Sequence, residues 1–129
     1  MNNFEEIKDT LEILEEDLDK YEFIMSLSDC LPQFDQTRCT DEYRVYGCQS
    51  KVWCYKDEIS KRFTFFTESK LVGGLLHILL VRFQDEKVFN ENDFDVFMSQ
   101  LPFGNKITMQ RQTGLESAFK RISHLSSGI

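Results

Sequence analysis

The feature that most constrains the fold is a segment, residues 69–83, that is apolar on almost every side of a helix. A helix that is apolar all round must be covered on all sides, so this segment predicts a central helix packed against a sheet. Gly73 and Gly74 lie inside it, each costing about 1 kcal/mol relative to alanine, and they predict a close approach of another backbone. Its apolar run, residues 71–81, is too short to cross a bilayer.

The N-terminal region predicts two amphipathic helices, because apolar residues recur there every three or four positions. The recurring residues are Phe4, Ile7, Leu11, Leu14, Leu18 and Tyr21. A break near Asp19 would begin the second helix, with Asp19 as its N-cap and Glu22 completing a capping box. That helix would bury Ile24, Leu27 and Leu31 and end at Pro32.

The middle of the chain predicts three short strands, at 42–47, 51–56 and 61–67, where residues alternate or are β-branched and aromatic. The connections are so short that the strands should form an antiparallel meander. A short helix is expected near 93–100. A last helix would bury Leu115, Ala118, Phe119, Ile122 and Leu125. The prediction is an α+β fold, a small three-stranded antiparallel meander packed against helices, in a single domain over residues 1–129.

Charge is distributed unevenly in a chain of net charge −7. Residues 1–29 hold ten acidic and two basic side chains, whereas the rest of the chain has a net charge of +1. A solvated helix face explains this, and a docking surface for a basic partner is the alternative. No basic stripe carries interleaved aromatic residues, so nucleic acid is not an expected partner. The acidic N-terminus is unlike a secretory signal, so we expect a cytoplasmic protein with no membrane contact and with reduced cysteines.

The four cysteines, Cys30, Cys39, Cys48 and Cys54, contain no C-x-x-C pair, and the chain has only two histidines, His77 and His124. No metal site is therefore expected. Cys54 falls within a predicted strand and should be packed in the core.

Cys48 stands apart because it falls at the tip of a predicted hairpin, directly after Gly47. A thiol at a turn is accessible to a partner, and the glycine removes a side chain beside the sulfur. Arg44 and Lys51 lie close in sequence, and positive charge favours the thiolate, which is the nucleophile. From these residues alone, a reactive thiol and an incidental turn residue remain about equally acceptable.

The segment from Tyr46 to Trp53, with Gly47-Cys48-Gln49-Ser50 followed by Val52-Trp53, closely resembles the G-C-Q-S-x-V-W signature of SufE proteins and their CsdE relatives. Further matches follow in the same order along nearly the whole chain. They are Tyr21 to Ile24 with Leu31-Pro32, the stretch from Glu68 to Leu75, and Arg111 to Glu116.

The resemblance implies a SufE/IscU-like fold and a function as a sulfur acceptor. Cys48 would receive sulfane sulfur as a persulfide from a cysteine desulfurase of the SufS/CsdA type and relay it to an iron–sulfur scaffold complex. The acceptor itself would have no independent turnover and no cofactor, since pyridoxal phosphate belongs to the partner. Gly47, Gln49, Ser50, Glu68 and Arg111 would support the site or contact the partner, and Gly47 is a candidate hinge between a sheltered and an extended state of the loop.

Two other classes of function stay open on the residues alone. A cysteine-dependent enzyme with its own small-molecule substrate would need a base beside Cys48, and His77 and His124 are both predicted on helices without a motif around them. The other class is a non-catalytic binding module in which Cys48 is inert.

Overall fold

The computed structural model describes residues 3–47, 50–85, 93–102 and 107–127. In these ranges the α+β class predicted from the sequence is confirmed. The α-helices are α1 (Phe4–Ile13), α2 (Asp17–Ser26), α3 (Lys70–Asp85), α4 (Phe94–Gln100) and α5 (Met109–Ser127). The strands are β1 (Arg44–Val45), β2 (Val52–Lys56) and β3 (Phe63–Thr67), and short 3₁₀ turns lie at Leu27–Cys30, Gln36–Arg38 and Asp41–Tyr43.

The sheet is an antiparallel meander in the order β1-β2-β3, as predicted. The first strand is much shorter than expected, because only residues 44–45 pair with β2 while residues 41–43 coil into a 3₁₀ turn. The pairing therefore leaves two connections at opposite ends of the sheet. One is the hairpin loop, residues 46–51, and the other is the distal turn, residues 57–62.

Helix α3 is the centre of the core, and the predicted close approach is confirmed. Residues 73–82 are buried along its length. A β-carbon on Gly74 would lie 1.7 Å from the carbonyl oxygen of Ile24, so α2 and α3 touch backbone to backbone. Only glycine permits this contact at position 74, and a β-carbon on Gly73 would lie 2.9 Å from the β-carbon of Ser28. The two close approaches explain two residues of poor helix propensity in a buried helix.

The boundary between the first two helices differs from the prediction. Helix α1 ends at Ile13 and α2 begins at Asp17, so Asp19 lies inside a helix and the predicted Asp19 cap is wrong. The N-cap of α2 is Glu16, which makes no side-chain capping bond. Because the chain reorients at residues 14–16, the apolar period does not continue across them, and Leu18 is 67% exposed. Lys20 donates from Nζ to the Leu11 carbonyl and so satisfies the C-terminal end of α1.

The C-terminal helices close the core over α3. Four of the positions predicted to be buried in the last helix are buried, namely Leu115, Ala118, Phe119 and Ile122; the side chain of Leu125 lies outside the described residues. Arg82 of α3 is only 3% exposed, donates from Nε to Gln100 Oε1 at 2.8 Å, and lies over the Phe97 ring. These contacts join α3 to α4. Among the described residues, none of the helices has both the length and the apolar character needed to span a bilayer.

Candidate functional site

Strand pairing brings the hairpin loop close to the start of the central helix. Val52, directly after the loop, pairs with Thr67 at the end of β3. As a result Ser50, Lys51, Trp53, Glu68 and Ser69 line one shallow depression. Ser69 begins α3, because its Oγ accepts from the Val72 amide at 3.3 Å. The exposed Glu68 thus lies just before the helix, beside the loop, as the sequence indicated.

Helix α5 supports the chain that enters the loop. Arg121 donates from Nη2 to the carbonyl of Arg44 at 2.8 Å, which ties β1 to the helix. Gly47 follows with a φ of +98°, a conformation that residues other than glycine rarely adopt. A β-carbon on Gly47 would lie 2.7 Å from Ser117 Oγ. Glycine is therefore favoured at position 47 both by the backbone angle and by the proximity of Ser117.

The same helix meets the chain that leaves the loop. A cavity of about 40 Å³ lies beside Ser50 between α3 and α5. By this measure it has room for roughly three water-sized groups. The described residues that line it are Ser50, Val72, Leu75, Leu76, Gln110, Arg111, Gly114 and Leu115. Its walls are thus mostly aliphatic, with Arg111 and Gln110 at the first turn of α5. Of the residues predicted from sequence, Ser50 and Arg111 meet here.

Cys48 and Gln49 lie outside the described residues, so the role predicted for each stays a prediction. Their neighbours on both sides are described, and both rest on α5. Gly47 lies against the third turn of the helix and Ser50 against its first two turns. The loop therefore begins and ends beside the same helix, α5.

Arg44 is held by aromatic rings beside the loop. Its guanidinium carbon lies 5.4 Å from the centre of the Tyr46 ring and 5.6 Å from that of Trp53. Contacts of this kind stabilise a cation by about 0.5–1 kcal/mol at exposed sites. Trp53 also packs on Phe66 at 6.0 Å. The Nε of Arg44 is buried and has no hydrogen-bond partner among the described residues.

The other cysteines are in three different environments. Cys54 is 1% exposed, as predicted, and burial raises the pKa of its thiol to about 12, with a smaller opposing effect of Arg121. Cys39 is half-buried, and burial followed by the Asp35 carboxylate raises its pKa. Cys30 is exposed. In the parts of the chain that the structure describes, no three metal-ligating side chains are grouped to hold an ion.

Both histidines lie on helices, as the sequence predicted. His77 is buried within α3. His124 is exposed on α5 and lines an open groove together with Tyr46, Lys120 and Arg121.

The face of α5 on which the loop rests was not predicted from the sequence. Thr113, Gly114, Ser117 and Arg121 all contact the loop, β1 or the cavity. A signal was present, since small residues at 114, 117 and 118 recur at helical spacing and permit close packing. The sequence around these small residues does not indicate which segment packs on this face of α5, because the loop and the helix are some 65 residues apart in sequence.

The fold and the site define a small α+β protein in which a cysteine-containing hairpin loop is supported by the last helix. The chain belongs to the SufE family: a family model described as "Fe-S metabolism associated domain" matches residues 5–126. That range includes all the helices and strands described above, except Phe4 at the start of α1 and Ser127 at the end of α5. The match therefore extends over the hairpin loop, the cavity and α5.

Three relatives match this chain over 81–99% of its length. An uncharacterised SufE-like protein of Rhizobium meliloti is 28% identical, over 99% of this chain and 97% of its own length. A second, from Rhizobium etli, is 26% identical over 95% of this chain and 88% of its own. The cysteine desulfuration protein SufE of Wigglesworthia glossinidia brevipalpis is 30% identical, over 81% of this chain and 76% of its own length.

Proposed function

We propose that this protein accepts sulfur from a cysteine desulfurase as a persulfide on Cys48 and relays it to an iron–sulfur scaffold complex. The observation that carries the proposal is the family match over residues 5–126, which includes the G-C-Q-S segment. A relative that bears the name of a cysteine desulfuration protein supports the same role. The site acts in the cytoplasm as a carrier, with no turnover of its own.

The transfer is a thiol–disulfide exchange in type. The Cys48 thiolate attacks the outer sulfur of the persulfide on the desulfurase. The sulfur–sulfur bond of the donor breaks, its cysteine leaves as a thiolate, and a new sulfur–sulfur bond forms on Cys48. The sulfane sulfur moves without a change of oxidation state, so no oxidant or cofactor of this chain takes part.

The surroundings of the loop suit such a carrier. The cavity beside Ser50 is lined by four aliphatic side chains and by Arg111, and positive charge near a thiol favours the thiolate. Gly47 gives the loop a pivot, because its φ of +98° is open to glycine without strain. Gln49, Ser50 and Glu68 contact the partner or hold the loop.

The test is transfer of labelled sulfur. The protein is mixed with the cysteine desulfurase of its own genome and ³⁵S-cysteine, and the label is located by mass spectrometry under non-reducing conditions. We expect one added sulfur on Cys48 and none in the Cys48→Ser variant, a loss of more than about a hundredfold because serine forms no persulfide. A Cys48→Ser variant that accepts sulfur as well as the wild type would refute the proposal.

The remaining cysteines give internal controls. Cys54→Ala tests a thiol whose pKa of about 12 leaves almost no thiolate at neutral pH. Cys30→Ser tests an exposed thiol that is not part of the hairpin loop. Both variants should accept sulfur on Cys48 as the wild type does. Hydrolysis of a small ester by the protein alone, lost in Cys48→Ser, would instead favour an enzyme with its own substrate.

A further inference from the structure

Five cations surround the hairpin loop, and we call them the basic collar: Arg44, Lys51, Arg111, Lys120 and Arg121. Arg44 and Lys51 flank the loop in sequence. Arg111 lines the cavity on the exit side. Lys120 and Arg121 line the open groove on the entry side, next to the exposed Tyr46. The collar therefore lies on two sides of the loop, beside the chain that enters it and beside the chain that leaves it.

None of the collar cations is neutralised within the described part of the chain. The ion pairs Lys8–Glu5 and Arg38–Asp35 involve none of the collar residues. No acidic side chain is among the described residues that line the cavity or the groove, and Glu68, in the depression with Lys51, is not within 4 Å of it. This is unexpected in a chain with 22 acidic and 15 basic residues.

Part of the collar is held in position by the fold. The guanidinium of Arg44 contacts the rings of Tyr46 and Trp53, and Arg121 is tied to the Arg44 carbonyl by a hydrogen bond. A cation that is already ordered loses less side-chain entropy when it binds an anionic group. Lys51, Arg111 and Lys120 are exposed and free to reach outward.

We propose that the basic collar docks on an acidic rim around the persulfide-bearing cysteine of the desulfurase. The inference rests on the function proposed above and specifies the charge of the partner surface. Unpaired cations at a rim mainly accelerate association and orient the encounter, and salt screens their effect.

The test compares charge reversals at the two ends of the sheet. Lys51→Glu/Lys120→Glu changes two exposed collar residues, and Arg62→Glu/Lys61→Glu makes the same change of charge at the distal turn. Binding to the desulfurase is measured by biolayer interferometry at 0.05 M and 0.5 M salt. We expect the collar variant to raise Kd about tenfold or more at low salt, with the loss in the association rate, and less than about twofold at high salt. The distal variant should bind as the wild type does.

Sulfur transfer separates this inference from the function itself. In sulfur transfer the collar variant should need a higher desulfurase concentration than the wild type to load Cys48 at half of its own maximal rate. An unchanged Kd for a collar variant with a wild-type unfolding midpoint would overturn the docking inference while sulfur transfer stands. The docking inference would also be overturned if the collar and distal variants weakened binding to the desulfurase equally. Loss of affinity for a DNA duplex, with unchanged affinity for the desulfurase, would overturn it too. Failure of the wild type to acquire sulfur would overturn the function.

Discussion

The two ends of the sheet are built in opposite ways. The distal turn, residues 57–62, is closed by its own bonds: the Asp57 amide donates to the Arg62 carbonyl at 2.8 Å, and Asp57 Oδ2 accepts from the Ser60 amide at 3.1 Å. The hairpin loop, residues 46–51, is instead supported from outside, with Gly47 against Ser117 and Ser50 against the cavity of α5. The distal turn is thus held by bonds between neighbouring residues, and the hairpin loop by contacts with a helix that is distant in sequence.

This difference concerns how each connection is held in place. A turn that closes on itself needs little from the rest of the protein and can only complete the meander. A loop supported by a helix that is distant in sequence is positioned by the fold, which is how binding and catalytic loops are usually held. Each end contains one described residue with positive φ, Gly47 at +98° and Lys61 at +61°, so the two ends also provide a matched pair of backbone tests.

The largest expected effect is at the hairpin loop. Gly47→Ala should lower the free energy of unfolding by about 2–3 kcal/mol, because alanine pays about 1–2 kcal/mol for the left-handed backbone and its β-carbon forces Ser117 to rotate away. That rotation breaks the bond from Ser117 Oγ to the Thr113 carbonyl, about 1 kcal/mol. Urea unfolding followed by circular dichroism measures the change.

A double-mutant cycle separates the two causes. In a Ser117→Ala background the atom nearest to the new β-carbon is the β-carbon of residue 117, at an ordinary 3.7 Å. Gly47→Ala should then cost about 1 kcal/mol less than in the wild type, leaving the cost of the backbone conformation. Equal costs in both backgrounds would mean that α5 does not constrain the loop, and the distinction between the two ends would fail.

The same distinction explains what the sequence could predict. The distal turn and the antiparallel meander follow from local patterns, since strand alternation and short connections leave few alternatives. The burial of α3 follows from its apolar composition, and Gly74 correctly indicated a close backbone contact. The start of α2 was misplaced because Asp19 and Glu22 match a capping box by type, whereas the break is set by packing and by the bond from Lys20 to α1.

The site was predicted only in part, for the same reason. Glu68, Ser50 and Arg111 were identified through the resemblance, and they do lie at one end of the sheet. Ser117 and Arg121 were not, because their contact with the loop depends on how α5 packs over the sheet. A pattern of small residues suggests that something packs closely, but it does not identify the partner segment.

At the distal turn the expected effect is smaller and of opposite sign. Lys61→Gly should raise the free energy of unfolding by about 0.5 kcal/mol, because glycine removes the cost of the left-handed backbone but adds entropy to the unfolded chain. Urea unfolding measures this, with Lys61→Ala as the control, which keeps the β-carbon and should give no gain. A destabilised Lys61→Gly variant would mean that the lysine side chain supports the turn, contrary to a turn closed by its backbone.

The smallest effect is expected from Ile59, the most exposed of the large apolar side chains in the described part of the chain, at 94%. Ile59→Ser should change the free energy of unfolding by less than about 0.5 kcal/mol, because the side chain has almost no buried area to lose. Labelled sulfur uptake by Cys48 should also be unchanged.

Tyr46→Ser is the matched change at the other end, where Tyr46 is 59% exposed and lies beside Arg44. It should slow uptake at low desulfurase concentration. If Ile59→Ser slowed uptake as much as Tyr46→Ser does, the distal turn would also contact the partner, and the functional contrast between the two ends would be wrong.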